Sequence, residues 1–241
     1  MLLRDILEHL DSVSSFELQE KWDNSGLLVG NLESDIKEAI VSIDLDEELI
    51  DNSNEGALFI VHHPLIFGSL KSLEFSKYPA NLIKKLILKN QNLIAMHTNF
   101  DKTHLNRYVF TKILGLDIDK ERDFILESNV NFGFDELLAK VKDAFELEQI
   151  KVVNKKEQIN SIALTTGAGA SLMDFVTADC FLTGDIKYHD AIKAINQNLM
   201  LIDIGHFESE KFFSKAIENS LKTLPISVII SQSKNPFTIF Q

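Results

Sequence analysis

In Ala57-Leu58-Phe59-Ile60-Val61-His62-His63-Pro64, two histidines directly follow five apolar residues. An apolar run of this length and composition predicts a buried β-strand. Pro64 has no N–H group for a sheet hydrogen bond and favours an extended backbone at the residue before it, so the strand should stop at the histidines. In open α/β sheets, ligands bind at the carboxyl ends of the strands. His62 and His63 are therefore candidate ligands.

The direction of the two imidazoles bears on what they do. Side chains alternate along a strand, so we expect His62 and His63 to point in different directions. If both of them bind metal, they would then serve two adjacent ions more naturally than one ion. The alternative interpretation is a pair of surface histidines that precede a turn.

Composition restricts the class of protein. The chain has 241 residues, of which 45% are hydrophobic and 25% are charged, and this is typical of a soluble globular protein with one large domain or two modest ones. Its net charge of -12 disfavours a general nucleic-acid surface, although it leaves room for a local basic channel. The single cysteine, Cys180, cannot form a disulfide within the chain and fits a reducing cytoplasm. Without a signal peptide or a long uncharged run, we expect a cytoplasmic protein that does not enter a membrane.

Strands and helices alternate along most of the chain, and repeated strand–helix units predict an α/β fold with mixed or parallel sheets and helices on their faces. The character of the sequence changes in the middle, at 121–153, so we divide the chain into α/β halves at 1–120 and 121–241, with an approximate boundary. Predicted strands lie at 27–30, 39–43, 57–61, 92–96, 123–128, 150–153, 161–165, 180–183, 199–203 and 226–230. Predicted helices lie at 2–21, 46–52, 79–89, 104–114, 134–145, 187–197 and 207–222.

Three of the predicted strands end in polar side chains that are able to bind metal. Because the carboxyl ends of parallel strands meet at one edge of a sheet, such side chains can converge there. Three histidines with two carboxylates and no thiolate suit Zn²⁺, Mn²⁺, Fe²⁺ or Co²⁺. The three groups are His62 with His63, His97 with Asp101, and His206 with Glu210.

Helical phase separates the two glutamates of the last group. If a helix begins near His206, Glu210 lies four residues later on the same face. Glu208 is two residues later and points away, toward the helix N-terminus, where the helix dipole favours a carboxylate. A histidine and a glutamate four residues apart also occur by chance, so this pair alone is weak support for a site.

His97 and Asp101 are expected in a loop that leaves a strand. Asn99 and Asp101 could instead be turn-forming residues or helix caps. This structural role suits Asn99, whereas Asp101 would supply the carboxylate that the histidines lack.

Two glycine-containing turns follow later strands. Thr166-Gly167-Ala168-Gly169 could bind an anion on helix N–H groups, but a tight turn that lines the same cavity is the favoured interpretation. After Thr183-Gly184-Asp185 comes His189, which is either a helix-face residue or part of the site. Cys180, in mid-strand, fits a small core residue better than a nucleophile.

With these motifs, the sequence resembles the Nif-three-like family of dinuclear-metal proteins, also labelled GTP cyclohydrolase 1 type 2 homologs. The motifs occur in the family's order and span essentially the whole chain. They are Trp22-Asp23-Asn24-Ser25-Gly26-Leu27-x-Val29-Gly30, His62-His63-Pro64-Leu65-Ile66-Phe67, His97-Thr98-Asn99-Phe100-Asp101, Thr166-Gly167-Ala168-Gly169, Thr183-Gly184-Asp185 and Gly205-His206-x-x-Ser209-Glu210.

The resemblance implies two interlocked α/β halves with mixed sheets flanked by helices, and a toroidal homohexamer whose metal sites face an internal cavity. It also implies that two divalent ions per chain are held by five ligands. The chain departs from the family pattern after the aspartate, where Lys102-Thr103-His104-Leu105-Asn106-Arg107 replaces a glycine-rich stretch. The implied ligands are His62, His63, Asp101, His206 and Glu210.

These observations favour a two-metal hydrolase that acts on a nucleotide or phosphoester, with the ring opening of GTP as one case. Two divalent ions about 3.5–4 Å apart lower the pKa of water and stabilise both the attacking and the leaving oxygen. Glu210 or a water would bridge the ions, and His97 or His189 would relay protons. The alternative is a non-catalytic metal-binding scaffold or regulatory partner. A ring that encircles nucleic acid is disfavoured by the net charge.

Overall fold

A computed structural model describes residues 1–231 and 233–238 of the chain. The described chain forms two compact units, of which the first contains residues 1–103, 213–231 and 233–234 and the second contains residues 104–212 and 235–238. The chain leaves the first unit after residue 103 and returns to it at residue 213, and the approximate boundary near residue 120 stays a prediction. Each unit contains one mixed sheet flanked by helices, so the predicted α/β fold is confirmed.

The regular elements alternate much as the apolar pattern predicts. Short 3₁₀ segments lie at Phe16–Leu18 and Gly169–Phe175, and π-helical turns lie at Asp101–Leu105 and Val109–Ile113. The strands are β1 (Gly26–Val29), β2 (Glu38–Ser42), β3 (Leu58–Val61), β4 (Asn92–Ala95), β5 (Lys120–Arg122), β6 (Ile125–Gly133), β7 (Lys151–Val153), β8 (Gln158–Leu164), β9 (Cys180–Thr183), β10 (Met200–Asp203) and β11 (Ser227–Ile230). The α-helices are α1 (Leu3–Val13), α2 (Glu47–Asn52), α3 (Ala80–Leu88), α4 (Thr98–Phe100), α5 (Asn106–Tyr108), α6 (Phe134–Phe145), α7 (Tyr188–Asn196), α8 (His206–Glu210) and α9 (Phe213–Leu221).

The sheet of the first unit has the strand order β1-β4-β3-β2-β11. Strand β1 is antiparallel to β4, and the other neighbours are parallel. All residues of β3 and β4 are buried, as expected for parallel strands that are covered on both faces. Val61 of β3 lies in register with Ser42 of β2 and Ala95 of β4. The chain segments that follow these three strands therefore leave the sheet at the same edge.

The sheet of the second unit has the strand order β5-β6-β8-β9-β10-β7, with a parallel centre formed by β8, β9 and β10. Leu182 of β9 lies in register with Leu164 of β8 and Ile202 of β10, which aligns the carboxyl ends of these strands. Cys180 is fully buried in this sheet, and burial raises the pKa of its thiol. It is a core residue, as the sequence predicts.

Two helical predictions need correction. The segment after His97 is helical rather than a loop, because α4 begins at Thr98 and continues into a π-helical turn at Asp101. The single helix predicted at 207–222 is two helices, α8 and α9. The chain passes from the second unit to the first at this break, and Phe213 then packs its fully buried ring 5.3 Å from that of Phe100.

Among the described residues, no helix combines the length and the apolar character that crossing a bilayer requires.

Two leucines of helix α3 test how much the hydrophobic core of the first unit contributes to stability. Leu86 is fully buried with Phe59 and Leu93 in this core, whereas Leu88 in the same helix is 69% exposed. We expect Leu86→Ala to lower the free energy of unfolding by about 2–5 kcal/mol, because it leaves a cavity. Leu88→Ala should change this free energy by less than about 0.5 kcal/mol. Urea unfolding monitored by circular dichroism measures both variants, and equal losses would contradict the assigned packing.

Candidate metal centre

Three histidines cluster at the carboxyl edge of the first sheet. One side-chain nitrogen from each of His62, His63 and His97 lies within 4.8 Å of the others, a spacing that could hold a metal ion. The expectation that His62 and His63 diverge is wrong, because their ring centroids are 5.0 Å apart. Both residues lie beyond the end of β3, where the alternation of strand side chains no longer applies.

The hydrogen bond of His62 shows which of its ring nitrogens is available to bind a metal ion. Its Nδ1 lies 2.8 Å from the carbonyl oxygen of Met96, and the side chain is fully buried. A carbonyl oxygen only accepts hydrogen bonds, so Nδ1 must carry the proton. The ring is then in the tautomer in which Nε2 has the lone pair that a metal needs. A hydrogen bond of this kind is the usual support behind a histidine that binds metal.

The other two rings are held in the same way by carboxylates. His63 Nδ1 lies 2.8 Å from Asp44 Oδ1, and His97 Nδ1 lies 2.7 Å from Asp23 Oδ1. Each carboxylate can accept the Nδ1 proton and fix the orientation of its ring. All three histidines therefore use Nδ1 for support and can offer Nε2 to a ligand.

The carboxylate of Asp23 is held in place by several hydrogen bonds. Its side chain is fully buried, and it also accepts hydrogen bonds from the backbone N–H group and the hydroxyl of Thr98. Burial alone would raise the pKa of Asp23, but the hydrogen bonds and charge of His97, together with Thr98, hold this pKa well below its ordinary value. Asp23 is thus ionised at neutral pH and remains an acceptor for His97.

The sequence patterns do not identify Asp23 or Asp44 as hydrogen-bond acceptors for the histidines. Asp23 lies within the motif that begins at Trp22, and Asp44 comes two residues after β2. The available signal for Asp44 was its position just after an apolar strand. Asp23 precedes β1 and gave no such signal.

Asp101 lies with this cluster in the first unit. Its Oδ1 is 3.5 Å from His62 Nε2, and the side chain is largely buried. Asn99 is fully buried and donates a hydrogen bond to the carbonyl oxygen of Ser14, at 2.9 Å. Asn99 therefore has a structural role, whereas Asp101 places a carboxylate next to an imidazole.

The second unit contains a histidine–glutamate pair. Helix α8 begins at His206, as the helical-phase argument requires, and His206 Nε2 lies 2.9 Å from Glu210 Oε2. Glu208 lies in the first turn of the helix and accepts a hydrogen bond from Asn235 Nδ2, at 2.6 Å. His206 Nδ1 lies 2.7 Å from Asp185 Oδ2, so a carboxylate supports this ring as well. The phase prediction for Glu210 and Glu208 is confirmed.

The protonation of His206 depends on the same partners. The hydrogen bond with Glu210 raises the pKa of His206, burial opposes this, and Asp185 adds to the increase, which brings the pKa to about 9. Without metal, the ring is therefore an imidazolium at neutral pH. A metal ion that binds His206 must displace this proton.

The turn at Gly167 packs against Glu210. Gly167 has a φ of +61°, and a Cβ atom at this position would lie 2.1 Å from Glu210 Oε1. Its N–H group donates to Ser209 Oγ at 2.9 Å, and that hydroxyl donates to the carbonyl oxygen of His206. These contacts agree with a tight turn beside the carboxylate. Glycine is required because a larger residue would displace Glu210.

His189 lies in α7, where its side chain is exposed and its ring is 5.4 Å from that of Tyr188. It does not belong to the groups of possible metal ligands that the described residues form. Its role in proton relay stays a prediction.

Comparison with known proteins agrees with the motifs. The chain is 45% identical over 241 residues to a Campylobacter jejuni protein named GTP cyclohydrolase 1 type 2 homolog, and the match covers 100% of both chains. It is 41% identical over 240 residues to a Helicobacter pylori protein named GTP cyclohydrolase 1 type 2, with 99% of both chains covered.

Solved structures show the same fold. A hypothetical protein of Staphylococcus aureus superimposes with a TM-score of 0.87 at 25% identity, covering 100% of this chain and 99% of the other. Reduced HcgD from Methanocaldococcus jannaschii superimposes with a TM-score of 0.83 at 26% identity, covering 95% of this chain and 97% of the other. The sequence profile of the Duf34/NIF3 (NGG1p interacting factor 3) family matches residues 1–236. The chain therefore belongs to the Duf34/NIF3 family.

Proposed function

We propose that this protein binds divalent metal ions and uses them to hydrolyse a nucleotide or phosphoester. The observation that carries the proposal is the cluster of His62, His63 and His97, in which each Nδ1 contacts an oxygen acceptor and one ring nitrogen from each residue lies within 4.8 Å of the others. The names of the relatives, which specify a GTP cyclohydrolase, support a nucleotide substrate.

The available donors fit a divalent transition metal. The first unit offers three imidazoles and the carboxylate of Asp101, and the second offers His206 with Glu210. Nitrogen and oxygen donors without a thiolate suit Zn²⁺, Mn²⁺, Fe²⁺ or Co²⁺. That His62, His63, Asp101, His206 and Glu210 form one ligand set for two ions stays a prediction, as does the hexameric toroid.

His97 is the best candidate for a proton acceptor among these residues. Bound divalent ions supply Lewis acidity, which polarises a phosphoryl or carbonyl oxygen and lowers the pKa of water. With its Nδ1 proton directed at Asp23, His97 can accept a proton at Nε2 and the carboxylate stabilises the resulting imidazolium. His97 also lies among potential ligands, so metal content must be measured together with activity for its variants.

Measuring the metal content of the protein tests the proposal that it binds divalent ions. We expect close to two divalent ions per chain after purification without chelator and gentle dialysis, because the donors outnumber what one ion requires. The measurement is elemental analysis, with Mn²⁺, Zn²⁺, Fe²⁺ and Co²⁺ supplied in turn. Metal content near zero under all four conditions would overturn the assignment.

Variants of the two glutamates of α8 test metal binding in the second unit, with Glu208 as the control for Glu210. Glu210→Gln should weaken metal binding by roughly tenfold or more, because it removes a ligand charge next to His206. Glu208→Gln should leave the affinity nearly unchanged, since this side chain faces Asn235. Isothermal titration with Zn²⁺ compares the variants, and equal losses would refute the role of Glu210.

Activity assays separate ligands from proton-transfer residues. We expect Asp101→Ala to abolish metal-dependent hydrolysis, and His97→Ala or His189→Ala to reduce it by about 10²–10⁴-fold while metal content is retained. The assay covers nucleotides, phosphomonoesters and phosphodiesters, and it includes GTP with product identification because ring opening and phosphate release are different reactions. Loss of metal from His97→Ala would make this residue a ligand. No metal-dependent turnover in the whole screen would favour the non-catalytic scaffold.

A further inference from the structure

We propose that Trp22 and Phe67 form a stacking platform for the planar heteroaromatic ring of the substrate. This inference rests on the proposed function and narrows its substrate class to molecules that carry a nucleobase or a similar ring. The two side chains lie beside the histidine cluster of the first unit, and they are called the aromatic platform below.

The aromatic platform is exposed yet ordered by its own contacts. Trp22 is 57% exposed and Phe67 is 51% exposed, and their rings stack with centroids 5.7 Å apart and planes inclined by 24°. Both rings contact His97, with centroid distances of 6.0 Å from Trp22 and 5.6 Å from Phe67 in edge-to-face geometry. A planar ring that stacks on the platform would therefore lie next to a potential metal ligand and proton acceptor.

Hydrogen bonds fix the two loops that carry these rings. Asn24 Nδ2 donates to the carbonyl oxygen of Ile66 at 2.7 Å, which joins the loop that follows Trp22 to the residue before Phe67. Asp23 accepts from His97 Nδ1 at 2.7 Å, which joins the first loop to the histidine cluster. The backbone N–H group of His97 also donates to Ser25 Oγ. The platform is thus attached to the cluster before any ligand binds, which reduces the ordering cost of binding.

The position of the platform points to a small aromatic ligand. Trp22 and Phe67 are distinguished by their edge contacts with His97. Tryptophan and phenylalanine faces bind any nucleobase, because every base has a π-face. A phosphate or ring carbonyl on the same molecule would then be within reach of the histidines.

Trp22 is the single tryptophan of the chain, so its fluorescence reports on the platform directly. The test is a titration of the protein with guanosine monophosphate and, separately, with ribose 5-phosphate, each in the presence and in the absence of Zn²⁺. The nucleotide should quench Trp22 fluorescence in a saturable manner, and ribose 5-phosphate should not. Equilibrium dialysis then compares variants, because substitution of Trp22 removes the signal.

We expect Trp22→Leu and Phe67→Leu each to weaken nucleotide binding by roughly tenfold, as loss of one stacking partner does. Trp22→Phe should retain most of the affinity. Phe175→Leu is the matched control, since Phe175 is 47% exposed in the second unit and should not affect binding.

Equal affinity for the nucleotide and ribose 5-phosphate would overturn the inference, and so would equal affinity in Trp22→Leu and the wild type. Fluorescence that changes with protein concentration alone would also overturn it, because a second copy of the chain would then cover the platform. Failure of the proposed function looks different. In that case the nucleotide still binds through the platform, while the wild type binds no metal and turns over no phosphoester.

Discussion

The parallel register of β2, β3 and β4 is the constraint on which the first unit's site depends. With Ser42, Val61 and Ala95 side by side, the segments that follow these strands must emerge at one edge. The hydrogen bonds of the ladder set this alignment. The second unit repeats the rule with β8, β9 and β10, whose following segments carry Gly167, Asp185 and His206.

Oxygen acceptors behind the histidines turn this alignment into a candidate metal centre. Three rings depend on the carboxylates of Asp23, Asp44 and Asp185, and His62 depends on a backbone carbonyl. Asp23 also links the site to stability, because its pKa in the folded protein is lower than its ordinary value of 3.8. Its stabilising contribution is therefore present above that ordinary value and is lost as the pH falls through the lower folded pKa.

Local sequence patterns were sufficient for several elements around the candidate site. Apolar runs predicted most of the strands, and helical phase placed Glu210 beside His206 and Glu208 away from it. Strand ends and helix faces could be predicted because they are set by residues close together in the sequence. The roles of His62, His63, His97 and Glu210 stay predictions. The direction of His62 and His63 was predicted wrongly, since it depends on the bend after β3 rather than on the strand itself.

Features that depend on contacts between residues far apart in the sequence could not be predicted from local patterns. Asp23 reaches His97 across 74 positions of the chain, and Asn24 reaches Ile66 across 42. Strand β11 joins the first sheet next to β2, so the chain returns to the first unit at residue 213, and no local pattern indicates where this return occurs. No local pattern specifies which strands become neighbours, so the supporting carboxylates and the aromatic platform required the structure.

The central claim is that oxygen acceptors hold Nδ1 of His62, His63 and His97, and that Nε2 of His62 and of His63 binds metal. ¹⁵N NMR of the histidine side chains, recorded on metal-free protein at neutral pH and during titration with Zn²⁺, tests it most directly. We expect His62, His63 and His97 to carry their proton at Nδ1 before metal is added, and the Nε2 signals of His62 and His63 to shift as Zn²⁺ binds. Protonation of these three rings at Nε2 alone, metal-induced shifts at Nδ1 instead, or no response of His62 and His63 to Zn²⁺ would contradict the claim.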